Sequence, residues 1–321
     1  MGGHALGMSG PVSTVDAPPG GGQTGAVETA CVQVLAAREA TVGRLRVRRA
    51  LPRLGRRTVG AWCFADHVGP TEVTETAGMD IGPHPHTCLQ TVTWLVEGEV
   101  LHRDSLGSEQ LIRPGQLNLM TAGRGVAHSE EASAGYRGTL HGIQLWVAQP
   151  EATRHGPPAF EHHANLPRAD LDKSRLTVLV GAFAGVESPA CHDTPLVGVD
   201  AVMDPGQSEW PLRKAFEYAL IVLDGAIHLG QQMIEPGQLA YLGEGRDALR
   251  LSIREPTRAL LLGGEPFDEP LLMWWNFVGR TRDEIETAYA EWQADEPRFG
   301  RVASPLPRIP APPLVWRAEA S

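Results

Sequence analysis

Four residues of this 321-residue chain have the types and spacing of metal ligands: His84 with His86, and His128 with Glu130. They come as two pairs, each with one residue between, in GPHPHTC (82–88) and GRGVAHSEE (123–131). On a β-strand, side chains two residues apart share a face, so each pair aims two donors the same way. Pro85 has no N–H to give to a ladder, which suits a strand end or a barrel mouth. Three imidazoles suit iron, nickel, copper or zinc, and a carboxylate oxygen favours iron or manganese. On an octahedral ion four protein ligands leave two positions, enough for dioxygen or a two-oxygen chelator. A closed tetrahedral zinc site is the alternative. An exposed H-x-H pair alone is a common accident of composition, and it is the second pair that makes the first a half-site.

Other donors lie nearby in sequence. Cys88 follows His86 by two residues and could share its strand face. His102 and His141 occupy strand positions from which they could support the ligands. His162 and His163 are adjacent, so a strand would point them to opposite faces, and their surroundings predict a surface position.

The elements that must carry these residues are short. Alternating or β-branched runs bounded by Gly and Pro recur: TVTWLVEG (91–98), GQLNLMTAG (115–123), HGIQLWVAQ (141–149), LTVLVGAFAG (176–185), YALIVLDGAIHLG (218–230), DALRLSI (247–253) and RALLLGG (258–264). Such spacing predicts an all-β sandwich or barrel. The chain also repeats itself. LVEGEVLH (95–102) resembles VLDGAIHLG (222–230), with Gly98 matching Gly225, and RPGQLNLMTAGRG (113–125) resembles EPGQLAYLGEGRD (235–247), with Gly115 matching Gly237. Two units with one order of strands and turns predict two similar barrels. Carrying the repeat offsets from the four ligand positions lands on Pro211, Arg213, Arg250 and Ser252, so the second copy predicts a scaffold without a metal.

The predicted domains follow: a Gly/Pro/Ser/Thr-rich tail over 1–26, a metal-binding domain over 27–150, a polar Pro-containing linker over 151–175, a second barrel over 176–294 and a Pro-rich tail over 295–321. The one strong helix signal is TRDEIETAYAEWQA (281–294). Thr281 and Glu284 form a capping box, and Ile285, Ala288, Tyr289 and Trp292 fall on one face.

Composition narrows the function classes. The formal net charge of −10 argues against a general nucleic-acid binder, and the one basic stretch, RLRVRRALPRLGRR (44–57), reads as a strand with a solvated arginine face. No apolar run approaches the roughly 20 residues of a membrane-spanning helix. The N-terminus lacks the basic start and apolar core of a secretory signal. Four cysteines without a C-x-x-C pair fit buried small hydrophobes in a reducing cytoplasm.

At HPHTCLQTVTWLVEGEVLHRDSLG, PGQLNLMTAGRGVAHSE and LHGIQLWV the chain resembles the pirin family of the cupin superfamily. RRALPRLGRRTVGAWCFADHVGP and EPLLMWWNFVGRTRDEI extend the resemblance to about residues 32–294. It implies two tandem cupin (jelly-roll) barrels with a C-terminal amphipathic helix. It further implies one metal ion, most often iron(II), with manganese, nickel or zinc as alternatives, held by His84, His86, His128 and Glu130, and a second barrel without metal. Where the family usually reads R-G-F-E after the H-x-H, this chain has Thr87, Cys88, Leu89 and Gln90. The resemblance therefore implies a missing glutamate near the metal at Gln90. Two functions follow from it. One is a dioxygenase of the quercetin 2,3-dioxygenase type, which cleaves a flavonol-like substrate with release of carbon monoxide. The other is an iron-dependent redox sensor binding a transcription factor or metabolic enzyme. Either is expected as a cytoplasmic monomer with a small aromatic or protein partner, no nucleic acid and no membrane.

Overall fold

The computed structural model describes residues 32–74, 79–133 and 136–318, and the tail expected at 1–26 lies outside the described residues. A short strand, β1 (Gln33–Ala36), comes first. The first barrel follows as β2 (Arg38–Val42), β3 (Leu45–Leu51), β4 (Trp62–Val73), β5 (Ile81–His86), β6 (Leu89–Glu97), β7 (Val100–Asp104), β8 (Glu109–Ile112), β9 (Leu117–Thr121), β10 (Val126–Ala132), β11 (Gly138–Ala148) and β12 (Ala159–His163). Its large sheet runs β12-β9-β6-β11-β4-β3-β2 and its small sheet β5-β10-β7-β8.

The second barrel is β13 (Arg168–Leu171), β14 (Ser174–Phe183), β15 (Val186–Glu187), β16 (Leu196–Met203), β17 (Gly206–Pro211), β18 (Glu217–Asp224), β19 (Ile227–Leu229), β20 (Gln232–Ile234), β21 (Gln238–Gly243), β22 (Ala248–Ile253) and β23 (Thr257–Gly264). Its sheets run β1-β21-β18-β23-β16-β14-β13 and β17-β22-β19-β20, which is the first barrel's order strand for strand. The internal repeat is therefore a repeat of topology. Its matched glycines sit where the chain needs a left-handed turn: φ is 94° at Gly98 and 73° at Gly225. A Cβ would come within 2.7 Å of the Thr139 carbonyl at the first and 2.6 Å of the Pro256 carbonyl at the second.

The halves are interleaved. β1 precedes the first barrel but pairs with β21 of the second, in the place that β12 takes beside β9. The stretch expected to link the domains, 151–175, contains β12 and β13 and is built into both large sheets. Those sheets pack face to face through Trp62, Trp94, Leu119 and Leu145 on one side and Leu179, Leu196, Ile221 and Leu260 on the other. The Trp62 indole N–H is shared between the Val197 and Gly263 carbonyls across that contact, at 3.1 and 3.2 Å. A large-sheet strand thus buries one face in its barrel and the other against the partner barrel, and its apolar runs are continuous for that reason.

A hairpin, β24 (Leu272–Trp274) and β25 (Phe277–Gly279), leads into the helix α1 (Arg282–Gln293). The Thr281 side chain accepts from the Glu284 N–H as expected, and Ile285, Ala288 and Trp292 are buried. Half of the expected box differs: the Glu284 carboxylate takes the Arg280 N–H and the Arg154 guanidinium. The Pro-rich segment after α1 also differs from a free tail. It is laid on the first barrel, with the Ile309 N–H on the Pro83 carbonyl at 2.8 Å and the Arg298 guanidinium on the Arg124 carbonyl at 2.6 Å. Among the described residues no helix is long and apolar enough to cross a membrane.

Candidate metal centre

The small sheet of the first barrel carries the site. β5 is its edge strand, so Pro85 interrupts no ladder on its free side. β5 and β10 pair antiparallel with His128 opposite His84 and Val126 opposite His86. The two half-sites are thereby brought onto one interior wall, and His84, His86 and His128 are all fully buried. One ligand nitrogen from each lies within 4.8 Å of the others. Glu130 follows a bulge in β10, opposite Ile81, and falls outside that group. Its carboxyl is buried on the same strand, with no hydrogen-bond partner for either oxygen.

The hydrogen bonds fix which nitrogen of each ring is free. The Gly82 carbonyl holds the His84 Nδ1–H at 2.9 Å and the Asn276 carbonyl holds the His86 Nδ1–H at 3.2 Å. The His128 tautomer is set by His102. The His102 Nε2–H donates to the Asp104 carboxylate at 3.2 Å, so its Nδ1 accepts, and His128 Nδ1, 3.4 Å away, donates. Every Nε2 is then a bare lone pair. Those of His86 and His128 face each other at 3.1 Å, and that of His84 has no partner. Two lone pairs in that position repel each other, and a cation between them would turn that repulsion into attraction. Metal–nitrogen bonds of about 2.1 Å at right angles place two nitrogens about 3 Å apart. The donor set fits a metal ion.

Electrostatics agree. Burial, opposed by the Gly82 bond, holds the His84 imidazole down at about 4. Burial and the neighbouring rings hold His86 and His128 well below the usual histidine value. All three are neutral near pH 7, the state that binds metal. Burial pushes the Glu130 carboxyl up to about 7, the Thr93 hydroxyl opposing it. That penalty vanishes beside a cation.

Several expectations land elsewhere. His102 supports His128 and stacks on Phe160 at 4.4 Å between centroids. His141 instead pairs with His67, Nε2 to Nε2 at 2.8 Å. His162 is part of the barrel wall, its Nδ1 2.7 Å from Asn118 Oδ1. Cys88 lies in the turn between β5 and β6 with φ of 58°, its thiol 3.9 Å from the Arg154 guanidinium. Gln90 does not face the metal site. It shares a face of β6 with Val92 and Trp94, toward the second barrel, and donates to Thr121 and the Cys191 carbonyl. Sequence reasoning missed Asn276, which lies 190 residues from the ring it orients and carries no local signal.

The second barrel's corresponding strands are filled. Trp210 on β17 and Leu249, Leu251 and Ile253 on β22 point inward into an apolar core. The offset positions Pro211, Arg213 and Arg250 are exposed, and Arg250 pairs with Glu209 on the surface at 2.6 Å. The offset is one residue out of register, which exchanges the faces. Among the described residues the only metal-ligating group is the triad of the first barrel.

Residues 44–147 match the pirin family and residues 198–300 the pirin C-terminal cupin domain. A Pseudomonas aeruginosa protein named "Putative quercetin 2,3-dioxygenase PA1205" is 46% identical over 292 residues, covering 90% of this chain and 92% of that protein. A "Pirin-like protein" of Caulobacter vibrioides is 35% identical, covering 81% of this chain and 92% of its own. The crystal structure of a quercetin 2,3-dioxygenase from Acinetobacter baumannii superposes with a TM-score of 0.86 at 42% identity, over 88% of this chain and 95% of that one. The chain is a two-domain cupin and belongs to the pirin family.

Proposed function

We propose that the protein is a mononuclear iron oxidoreductase of the quercetin 2,3-dioxygenase type, with His84, His86, His128 and Glu130 as ligands and a flavonol-like substrate. The observation that carries this is the convergence of three bare Nε2 lone pairs, with a buried carboxyl two residues along the His128 strand whose oxygens have no partner. The similarity to proteins named for that activity supports it. Bound there, iron(II) would supply Lewis acidity toward a phenolic oxygen and redox chemistry toward dioxygen.

The chain's own part is positioning and exclusion of water. The carbonyls of Gly82 and Asn276 and the Asp104–His102 pair hold the three rings with Nε2 inward. Trp146 stacks on Phe64 at 4.0 Å and meets His86 edge-on at 5.1 Å, which gives a flat aromatic wall beside the ligand set. Free thiols at Cys63, Cys88 and Cys191 suit a reducing compartment, and we place the protein in the cytoplasm. The test is aerobic incubation of iron-loaded protein with quercetin, followed by loss of the flavonol absorbance. Decay should far outpace that of His128→Ala, and equal rates would refute the activity.

A further inference from the structure

The wall facing the metal ligands carries a row of polar residues that the fold does not require. Cross-strand pairing runs through Arg49, Asp66, Gln144, Thr93, Asn118 and His162, one residue from each of β3, β4, β11, β6, β9 and β12, each directly opposite the next. The residues two positions away on these strands, among them Val47, Val68, Leu95, Met120 and Trp146, belong to the barrel's own apolar clusters. The row therefore lies on the interior face. It is largely bonded along its length. Arg49 gives two bonds of 2.7 Å to Asp66, Thr93 donates to Gln144 at 2.9 Å, and Asn118 meets His162 at 2.7 Å.

The second barrel shows what the fold needs there. The same pairing path on the same strands reads Val178, Val199, Leu261, Leu220, Ala240 and Val34, all apolar. Polar groups buried in such a position are at best neutral against well-packed apolar ones, and an unpaired one is destabilising by about 1–3 kcal/mol. One of them is unpaired: Asn118 is buried, and its Nδ2 has no partner. Thr93 and Gln144 also line a small cleft with Val68, Met79, Leu95 and Leu140 on the same interior. Thr93 lies near enough to Glu130 on the facing sheet to act on its carboxyl, although its hydroxyl is bonded to Gln144, so the row borders Glu130.

We propose that this row, through Thr93, Gln144 and Asn118, is the specificity-determining surface that reads the hydroxyl groups of an uncharged aromatic substrate. Its chemistry sets the class. The one guanidinium is neutralised by its carboxylate, so the row does not select a phosphate or other anion. Its amides and hydroxyl offer donors and acceptors to neutral oxygens. The inference rests on the substrate class proposed above and adds the residues that choose within it.

Binding, read apart from turnover, tests it. Full-length zinc-loaded protein is titrated with quercetin and with a flavonol lacking the B-ring hydroxyls, following quenching of tryptophan fluorescence. Wild type should prefer quercetin by about tenfold or more, because a site built to bond a hydroxyl rejects the analogue without it. Gln144→Leu and Asn118→Ala, which install the second barrel's residues, should lose most of that preference with zinc content unchanged. No binding, no preference in wild type, or a preference unaltered in folded variants would overturn the inference. If the preference and its loss stand while iron-loaded protein leaves quercetin intact, the proposed activity fails and this inference survives.

Discussion

The two barrels share one strand order and differ in what fills them. The first holds the buried imidazoles of His84, His86 and His128, the buried Glu130 carboxyl and a polar row; the second holds Trp210 and branched aliphatics at the corresponding places. The scaffold therefore does not need the imidazoles, the carboxyl or the polar row, and their confinement to one copy marks where ligands go. Real proteins depart from a consistent apolar interior mainly at functional sites.

The largest effect tests this difference directly. Arg49→Ala strands the Asp66 carboxylate in the interior and should destabilise by about 3–5 kcal/mol, read by chemical denaturation. Replacing both partners with the second barrel's own residues, as Arg49→Val with Asp66→Val, should recover most of that loss. If the double variant is as unstable as the single one, the pair is a structural requirement and the comparison fails.

Next comes the support of His128. His102→Phe keeps a ring to stack on Phe160 but removes the nitrogen that fixes the His128 tautomer. Metal affinity, measured by competition with a chelator, should fall by about 10- to 100-fold, and Asp104→Asn should follow in the same direction. An unchanged affinity would reduce the His102–Asp104 pair to packing.

Acid should separate the barrels in a milder way. Burial lowers His84 to about 4 and His67 to about 3, with His86 and His128 also well below the ordinary value. The unfolded chain takes these protons near 6.5, whereas the folded chain refuses them until near 4 at His84, near 3 at His67 and well below 6.5 at His86 and His128. Their stability contribution is thus full above 6.5 and is lost as pH falls below it. Glu130, raised to about 7, works in the opposite direction between 4.5 and 7, but the histidines outnumber it. The melting temperature of metal-free protein should drop from pH 7 to pH 5, and His67→Gln with His141→Gln should flatten the drop.

The smallest expected effect is at Gln90. Because it faces the second barrel, Gln90→Glu should leave metal affinity within about twofold, as distant sites act independently. A large gain would return this position to the metal site.

Much of this was legible in the sequence. Turn glycines and the PGQL repeat reveal two matching barrels because a left-handed turn restricts the residue locally. The H-x-H and H-x-E pairs announce themselves through strand periodicity. What stayed hidden depends on pairing across the chain. The polar row is six single residues on six strands, each unremarked in its own run, and only register lines them up. Gln90 looked like a metal-site residue because proximity in sequence to His86 does not reveal a strand's face. The exchange of β1, the strands within 151–175 and the docking of the Pro-rich segment rest on edges and surfaces that local composition does not encode.

The central claim is that the first barrel alone holds a metal. Elemental analysis of purified, reconstituted protein and of a folded His84→Ala variant tests it most directly. Wild type should hold about one ion per chain and the variant almost none. A wild type that takes up no metal, or a variant that holds as much as wild type, would contradict the account.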